Sequence, residues 1–421
     1  MKFHVCAVVG TRPEAIKLAP LIIALREQNG LECRVCSTGQ HREMLDQTLT
    51  VFGIRADHDL ELMTKGQSLG ALTSRAVEAL DGYFGTEKPD LVLVQGDTTT
   101  VFCAALAAFY HGIPIGHVEA GLRTGNLKSP WPEEANRVLT SRLVELHFAP
   151  TDQAKSNLLA EGVDGAKIHV TGNTVIDALL WVRSKVAGGG GMREKLLNTY
   201  GVRADFARDF LAGCPGSKRQ GTGRLLLITA HRRESFGAGL LNVCRAIRQL
   251  VAEYPDVGVL YPVHLNPNVQ EPVRRMLSGE PQIQLIPPVD YAMFVYLMNE
   301  AHFIMTDSGG VQEEAPSLGK PVLVLRDTTE RPEALDAGTS RLVGTQVDVI
   351  VREAARLLDD DREYKSRSSK TNPYGDGHAS ERIVQVIQQF MKRRSGCSNK
   401  FSPEPLTIPR EMPAEATISA T

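Results

Sequence analysis

Phe3–Pro20 reads FHVCAVVGTRPEAIKLAP and carries a complete strand, turn and helix signal. An apolar run, Phe3–Val9, stops at Gly10-Thr11-Arg12 and gives way to a helical pattern from Pro13. Ile16, Leu18, Leu21, Ile22 and Leu25 recur at helical spacing up to Gln28,. Pro13 suits a first helical turn, where its missing N–H costs nothing. A glycine turn feeding a helix N-terminus is an anion site in waiting, helped here by Arg12 and Lys17. On spacing alone, a plain turn with surface charges is an equal reading. The turn is neither a Walker A loop nor GxGxxG, which weakens nucleoside triphosphate and dinucleotide readings.

Outward from this unit the pattern repeats. Cys33–Ser37, Leu91–Val94 and Ile113–Val118 read as strands, with a helix over Val101–Tyr110. In the second half Leu225–Ile228, Val257–Tyr261, Ile283–Ile286, Phe303–Met305 and Val322–Leu325 are strand-like, with helical patterns between them. Strands alternating with helices mean βαβ units and parallel sheets. The chain has 421 residues, and single cores stop growing near ~250–300 residues. The expected fold is therefore α/β, with two Rossmann-like doubly wound domains facing a cleft. Ligands in such sheets sit beyond the carboxyl ends of the strands. We place the domains at residues 1–174 and 175–375, a last helix at 376–394 and a disordered tail at 395–421. Gly188–Gly191 and Cys214–Gly223 read as flexible surface segments near the boundary,.

Composition excludes several classes. Hydrophobic residues make up 42% and charged residues 23%, as in soluble globular proteins,. With 47 basic and 49 acidic residues the formal charge is −2, so no nucleic-acid partner is expected,. No run approaches the ~18 apolar residues of a membrane helix, and no export signal is read at the start, so a cytoplasmic protein is expected. Seven scattered cysteines fit reduced thiols,. Cys33 and Cys36 form a CxxC, but on a strand residues three apart face opposite ways, so neither metal nor redox use is expected.

Chemistry-bearing residues cluster at strand ends. Asp97 follows a buried strand in QGDTTT, where capping of the next helix is the more ordinary role,. Glu119 in HVEAGLR has no comparable capping role. Glu133 and Glu134 open a helix that also carries Arg137, a placement that suits the helix dipole,. Three carboxylates, Asp97, Glu119 and Glu133, would meet at one cleft edge. Such proximity raises carboxyl pKa values toward those useful for moving a proton on and off carbon. In the second domain His231 of HRRESFG mirrors Arg12, and His264 again lies just past a strand. TDSGGVQEE carries Ser308, Gly309 and Gly310 at a helix start, where free amides would cradle a diphosphate,. Glu314, near the same helix mouth, suits ribose hydroxyls better than phosphate.

Together GTRPEAIKLAP, QHREMLDQ, QGDTTT, HVEAGLRTGN, SPWPEEANR, GNTVIDAL, HRRESFG, PVHLNPNV, DSGGVQEEAP and PVLVLRDTTERPEA resemble the non-hydrolysing UDP-N-acetylglucosamine 2-epimerases. These stretches run in order through Ala334. The resemblance implies the glycosyltransferase type B fold, with a last helix, about Ala379–Met391, returning to the first domain. It also implies a cytoplasmic bacterial homodimer that supplies cell-surface polysaccharide synthesis and needs no cofactor or metal. Arg12, Lys17, Asp97, Glu119 and Glu133 match the family's active-site positions, with Arg137 and His231 beside them. Ser308, Gly309, Gly310, Glu314 and Arg331 match nucleotide-binding positions, and Phe294 the aromatic beside uracil. The implied reaction removes the C2 proton as UDP leaves C1, then re-adds UDP with a proton on the opposite face. Gln40, His41 and Arg42 match a second substrate site used by some members, whereas Glu43 and Gly66 depart from it. The spacer Ala187–Arg224 is longer and richer in glycine than is usual in the family.

Three rivals share parts of this pattern. A hydrolysing epimerase would release free sugar and UDP. A glycosyltransferase would share the diphosphate site and bind an acceptor instead. A UDP-sugar sensor would keep DSGG and need no acidic cluster.

Overall fold

A computed structural model describes residues 2–39, 42–64, 66–186, 190–211, 223–232 and 235–396. Gln40 and His41, residues 187–189 and 212–222 of the spacer, Arg233, Glu234 and residues 397–421 lie outside this set, as do the side chains of residues 42–44.

The first half alternates β1 (Phe3–Val9), α1 (Arg12–Arg26), β2 (Leu31–Ser37), α2 (Arg42–Val51), β3 (His58–Asp59), α3 (Leu69–Glu87), β4 (Leu91–Gln95) and α4 (Thr99–Tyr110). It continues through β5 (Ile115–Val118), α5 (Glu133–Ser141), β6 (Leu146–Ala149), α6 (Asp152–Ala160), β7 (Ile168–Val170) and α7 (Thr174–Val186). Its seven strands are all parallel, in the order β3-β2-β1-β4-β5-β6-β7. Two short helices follow, α8 (Gly190–Asn198) and α9 (Ala204–Phe210). Gly190 and Gly191, read as flexible spacer, thus open a helix. Glycine is a poor helix former, but α8 packs on the body through Leu196, which is fully buried,.

The second half runs β8 (Arg224–Thr229), α10 (Ala238–Glu253), β9 (Val257–Pro262), α11 (Pro267–Leu277), β10 (Ile283–Ile286), α12 (Tyr291–Glu300), β11 (Phe303–Thr306) and α13 (Gly309–Glu314). Then come β12 (Val322–Val324), α14 (Pro332–Asp336), β13 (Ser340–Leu342), α15 (Val347–Asp359), α16 (Asp361–Ser368) and α17 (Ala379–Gly396). The six strands are again parallel, ordered β10-β9-β8-β11-β12-β13. In both sheets chain order reverses beside the first strand, at β1/β4 and at β8/β11. Ligands in open α/β sheets bind at such switch points.

Continuous apolar burial explains why the strands read as unbroken hydrophobic runs, since helices cover both faces. One large buried cluster passes from Val5, Ala7 and Val9 through α1, α7 and α12 to Ile304 and Val322. The two sheets therefore meet through a dry helical layer. Helix α17 lies against α1 and α7, burying Ile383, Val384, Ile387 and Met391, each worth about 1.5–3 kcal/mol. The Asp177 carboxylate on α7 accepts from the Ala379 and Ser380 amides at 3.2 and 2.7 Å, capping α17,. The helix extends through Gly396, so Ser395 is helical rather than part of a tail.

Cys33 packs into the cluster on one face of the first sheet and Cys36 into the cluster on the other. Burial pushes the Cys33 thiol up to about 12 and the Cys36 thiol higher still. Among the described residues no group of three His, Cys, Asp or Glu side chains is placed to hold a metal. No helix among them is long and apolar enough to cross a membrane.

Candidate active site

A cavity of about 450 Å³ opens where the two switch points face each other. Arg12, Ile16 and Lys17 of α1 line one wall. The other wall carries His231, His264, Tyr291, Phe294, Ser308, Gly310 and Glu314. Arg137 and Arg331 line a smaller pocket beside it. Asp97, Glu119 and Glu133 lie outside the cavity lining, and Glu119 meets it through Lys17.

Why these side chains converge follows from the turns. Gly10 leaves β1 where an added Cβ would strike the Thr38 and Thr100 hydroxyls, so only glycine fits. The buried Glu14 carboxylate accepts from the Gly10 and Thr11 amides at 2.5 and 3.1 Å and from the Thr98 hydroxyl at 2.5 Å. Burial pushes its pKa up to about 7 against those hydrogen bonds. Glu14 thus ties the first turn to the turn after β4 and aims Arg12 and Lys17 into the cavity.

Asp97 does not cap α4. Thr98 is the N-cap, accepting from the Val101 amide, and Asp97 is left free to pair with Arg137 at 2.5 Å. Arg137 is held by Glu134 at 2.9 Å, and Glu134 also accepts from the Thr124 and Gly125 amides. The neutral His117 ring donates to the Gly96 carbonyl at 2.7 Å, burial having lowered its pKa to about 4. Glu133 opens α5 half-buried, with no hydrogen-bond or ion-pair partner among the described residues.

Glu119 sits at φ +65, a left-handed backbone that a non-glycine residue holds only under constraint,. The constraint is visible. Lys17 Nζ donates to both carboxylate oxygens at 2.6 and 2.8 Å, Gln95 donates as well, and Asn173 Nδ2 lies 3.2 Å away. Burial alone would raise the Glu119 pKa, but Lys17, with Arg331 behind it, holds it below the ordinary carboxylate range. Lys17 also reaches Glu313 at 3.7 Å, and Glu313 pairs with Arg331.

On the opposite wall the buried Asp307 accepts from the His231 and Arg232 amides at 2.6 and 2.7 Å, fixing the loop after β8. The His231 ring stacks on His264 with centroids 5.4 Å apart. Burial lowers its pKa, with Asp307 opposing. Glu314 accepts from the Tyr291 hydroxyl at 2.6 Å, and burial pushes its pKa up to about 7. Gly310 lines the cavity, whereas a Cβ at Gly309 would lie 3.9 Å from the Arg331 guanidinium.

Sequence reasoning passed over Glu14, Asn173, Tyr291 and Glu313. Glu14 and Glu313 stood inside quoted motifs, but a carboxylate in a helix looks solvated until its burial is known. A helical offset from Ser308 singled out Glu314, and nothing in the sequence marked Glu313 as the more buried of the two. Asn173 of GNTVIDAL gave no chemical signal.

Residues 23–388 match the family model described as UDP-N-acetylglucosamine 2-epimerase. The chain belongs to the UDP-N-acetylglucosamine 2-epimerase family. It is 54% identical over 384 residues to the UDP-N-acetylglucosamine 2-epimerase of Yersinia pestis, covering 91% of this chain and 98% of that one. To the Escherichia coli K12 protein of the same name it is 53% identical, with the same coverage. A crystal structure of the Neisseria meningitidis UDP-GlcNAc 2-epimerase bound to UDP-GlcNAc superposes with a TM-score of 0.81 at 48% identity, covering 92% and 100% of the two chains. The glycosyltransferase type B fold that the resemblance implies is the fold observed. A glycotransferase of kitacinnamycin shares it at a TM-score of 0.58 and 11% identity, a likeness of fold alone.

Proposed function

We propose that this family member interconverts UDP-N-acetylglucosamine and UDP-N-acetylmannosamine by elimination and re-addition of UDP. The observation that carries the reading is the division of the cleft. Carboxylates Asp97 and Glu119 lie behind one wall, and cationic and amide groups gather around the cavity itself. In this reading Arg12, Lys17, His231 and the backbone at Ser308–Gly310 bind the diphosphate. Phe294 flanks the uracil and Glu314 accepts from the ribose hydroxyls. Arg137 and Arg331 lie beside the sugar.

The chemistry then follows. A carboxylate takes the proton from C2, the C–H electron pair forms a C1=C2 bond, and the C1–O bond breaks with its electrons leaving on UDP. The products held in the cleft are a glycal and UDP. Return of UDP to C1 and of a proton to the opposite face of C2 gives the epimer. Asp97, Glu119 and Glu133 supply and receive these protons. His231, stacked on His264, faces the leaving phosphate.

The reading includes a cytoplasmic homodimer. Phe109, Tyr110 and Leu139, exposed apolar side chains on the packed helices α4 and α5, support self-association. Incubation with UDP-N-acetylglucosamine and separation of the products tests the function. The expected outcome is a mixture of the two UDP-sugars. Free N-acetylmannosamine with stoichiometric UDP would instead assign hydrolysis.

A further inference from the structure

Four charged side chains form a square across the cleft floor, paired along three of its sides. Lys17 and Glu119 come from the first sheet's side, Glu313 and Arg331 from the second's. Glu119 binds Lys17 at 2.6 Å, Lys17 reaches Glu313 at 3.7 Å, and Glu313 pairs with Arg331. Asn173 Nδ2 spans the two carboxylates, 3.2 Å from Glu119 and 3.4 Å from Glu313. Side-chain exposure is 14% for Lys17, 5% for Glu119, 1% for Glu313 and 15% for Arg331, so the square is nearly dry. Two cations and two anions balance, as burial demands. The Glu313 backbone is fixed too, its carbonyl accepting from Asn372 Nδ2 at 2.7 Å.

The geometry points to Glu313 as a positioning residue for the Glu119 carboxylate, acting through Lys17, Asn173 and Arg331. The inference rests on the epimerase reading above and goes beyond it, because Glu313 touches neither the cavity nor a reacting atom. Its negative charge occupies Arg331 and draws on Lys17. Without it both cations would turn on Glu119 alone, leaving a weaker base held in the wrong place. The groups that face Glu119 are Lys17, Gln95, Asn173 and, at longer range, Arg331, Arg137 and His117. Of these, Asn173, Lys17 and Arg331 also contact Glu313.

Two substitutions should act with opposite sign. Glu313→Gln removes the charge and keeps the shape. Asn173→Asp keeps the oxygen that caps α7, where Asn173 Oδ1 accepts from the Val175 amide at 3.0 Å. It replaces the bridging donor with an anion beside Glu119. The rate of UDP-sugar epimerisation would be followed against pH for both variants and the wild type, with UDP affinity by calorimetry. Glu313→Gln is expected to lower kcat on the order of tenfold or more, leave UDP affinity little changed and move the acid limb down by roughly one pH unit. Asn173→Asp is expected to move that limb up. A lowered kcat with an unmoved limb in Glu313→Gln, or limbs moving the same way in both variants, would overturn the inference. If Glu313→Gln fails to fold, the direction of the Asn173→Asp limb decides alone. A wild-type protein that makes no UDP-N-acetylmannosamine would instead overturn the epimerase reading.

Discussion

Lys17 on α1 holds both carboxylate oxygens of Glu119, 102 positions further along the chain, at 2.6 and 2.8 Å. The pair joins helix α1 to the turn after β5 and stands at the edge of the cavity. Its two members are held charged by each other. Burial works against the Lys17 ammonium, yet Glu119 and Glu313 beside it raise its pKa above the ordinary lysine value. An arriving diphosphate would compete with Glu119 for this ammonium, freeing the carboxylate when substrate is present.

Removing one partner should therefore be costly. Lys17→Met leaves Glu119 buried without its cation, a change that typically costs 3–5 kcal/mol. Chemical denaturation should show a loss on the order of 3 kcal/mol, and the double variant Lys17→Met/Glu119→Gln should recover part of it. Equal stability of the single variant and the wild type would mean that the pair does not hold the turn.

The carboxylates should separate binding from turnover. Asp97→Asn, Glu119→Gln and Glu133→Gln are each expected to bind UDP and to lose at least ~10²-fold in kcat, the scale of a positioned acid or base. A variant that turns over at the wild-type rate removes that residue from the proton-transfer chemistry.

Gly310 gives a test of the diphosphate wall. A Cβ there would sit 3.9 Å from both the Ser308 hydroxyl and the Glu314 carboxylate, inside the cavity lining. Gly310→Val should weaken UDP binding steeply while the melting temperature holds. Unchanged affinity by calorimetry would place the diphosphate elsewhere.

Glu314 carries a pH signature. Burial raises its pKa from 4.5 to about 7, so the folded protein keeps a proton that the unfolded chain loses between those values. Stability from this group is complete below pH 4.5, falls as pH rises toward about 7 and then levels off,. Glu314→Gln should flatten that slope. If the carboxylate accepts from ribose, wild-type affinity for UDP should gain on that of Glu314→Gln as pH rises through about 7. Identical pH dependence in the two proteins would contradict this role.

Much of this organisation is written in local sequence. Strands buried on both faces, such as Leu91–Gln95, appear as apolar runs, and the glycine turn at Gly10 announces a helix. Shorter strands escaped notice because their composition is mixed. His147 interrupts β6, β7 is a partly exposed edge strand of three residues, and β13 reads Ser-Arg-Leu. Arg12, Asp97, Glu119 and His231 could be named because topology puts strand ends at the cleft. Partner choice could not. The capping hydroxyl belongs to Thr98 rather than to its acidic neighbour, and the Asn173–Glu313 contact joins residues 140 positions apart. Such contacts depend on how two sheets dock, which no local pattern encodes.

Proton exchange at C2 with UDP as the leaving group has its own isotopic signature. Proton NMR of the sugar C2 position after incubation of UDP-N-acetylglucosamine with the protein in heavy water tests it most directly, with UDP followed by chromatography. Such exchange places deuterium at C2 of UDP-N-acetylmannosamine and also of UDP-N-acetylglucosamine recovered at equilibrium. Epimerisation with the C2 hydrogen fully retained would contradict it.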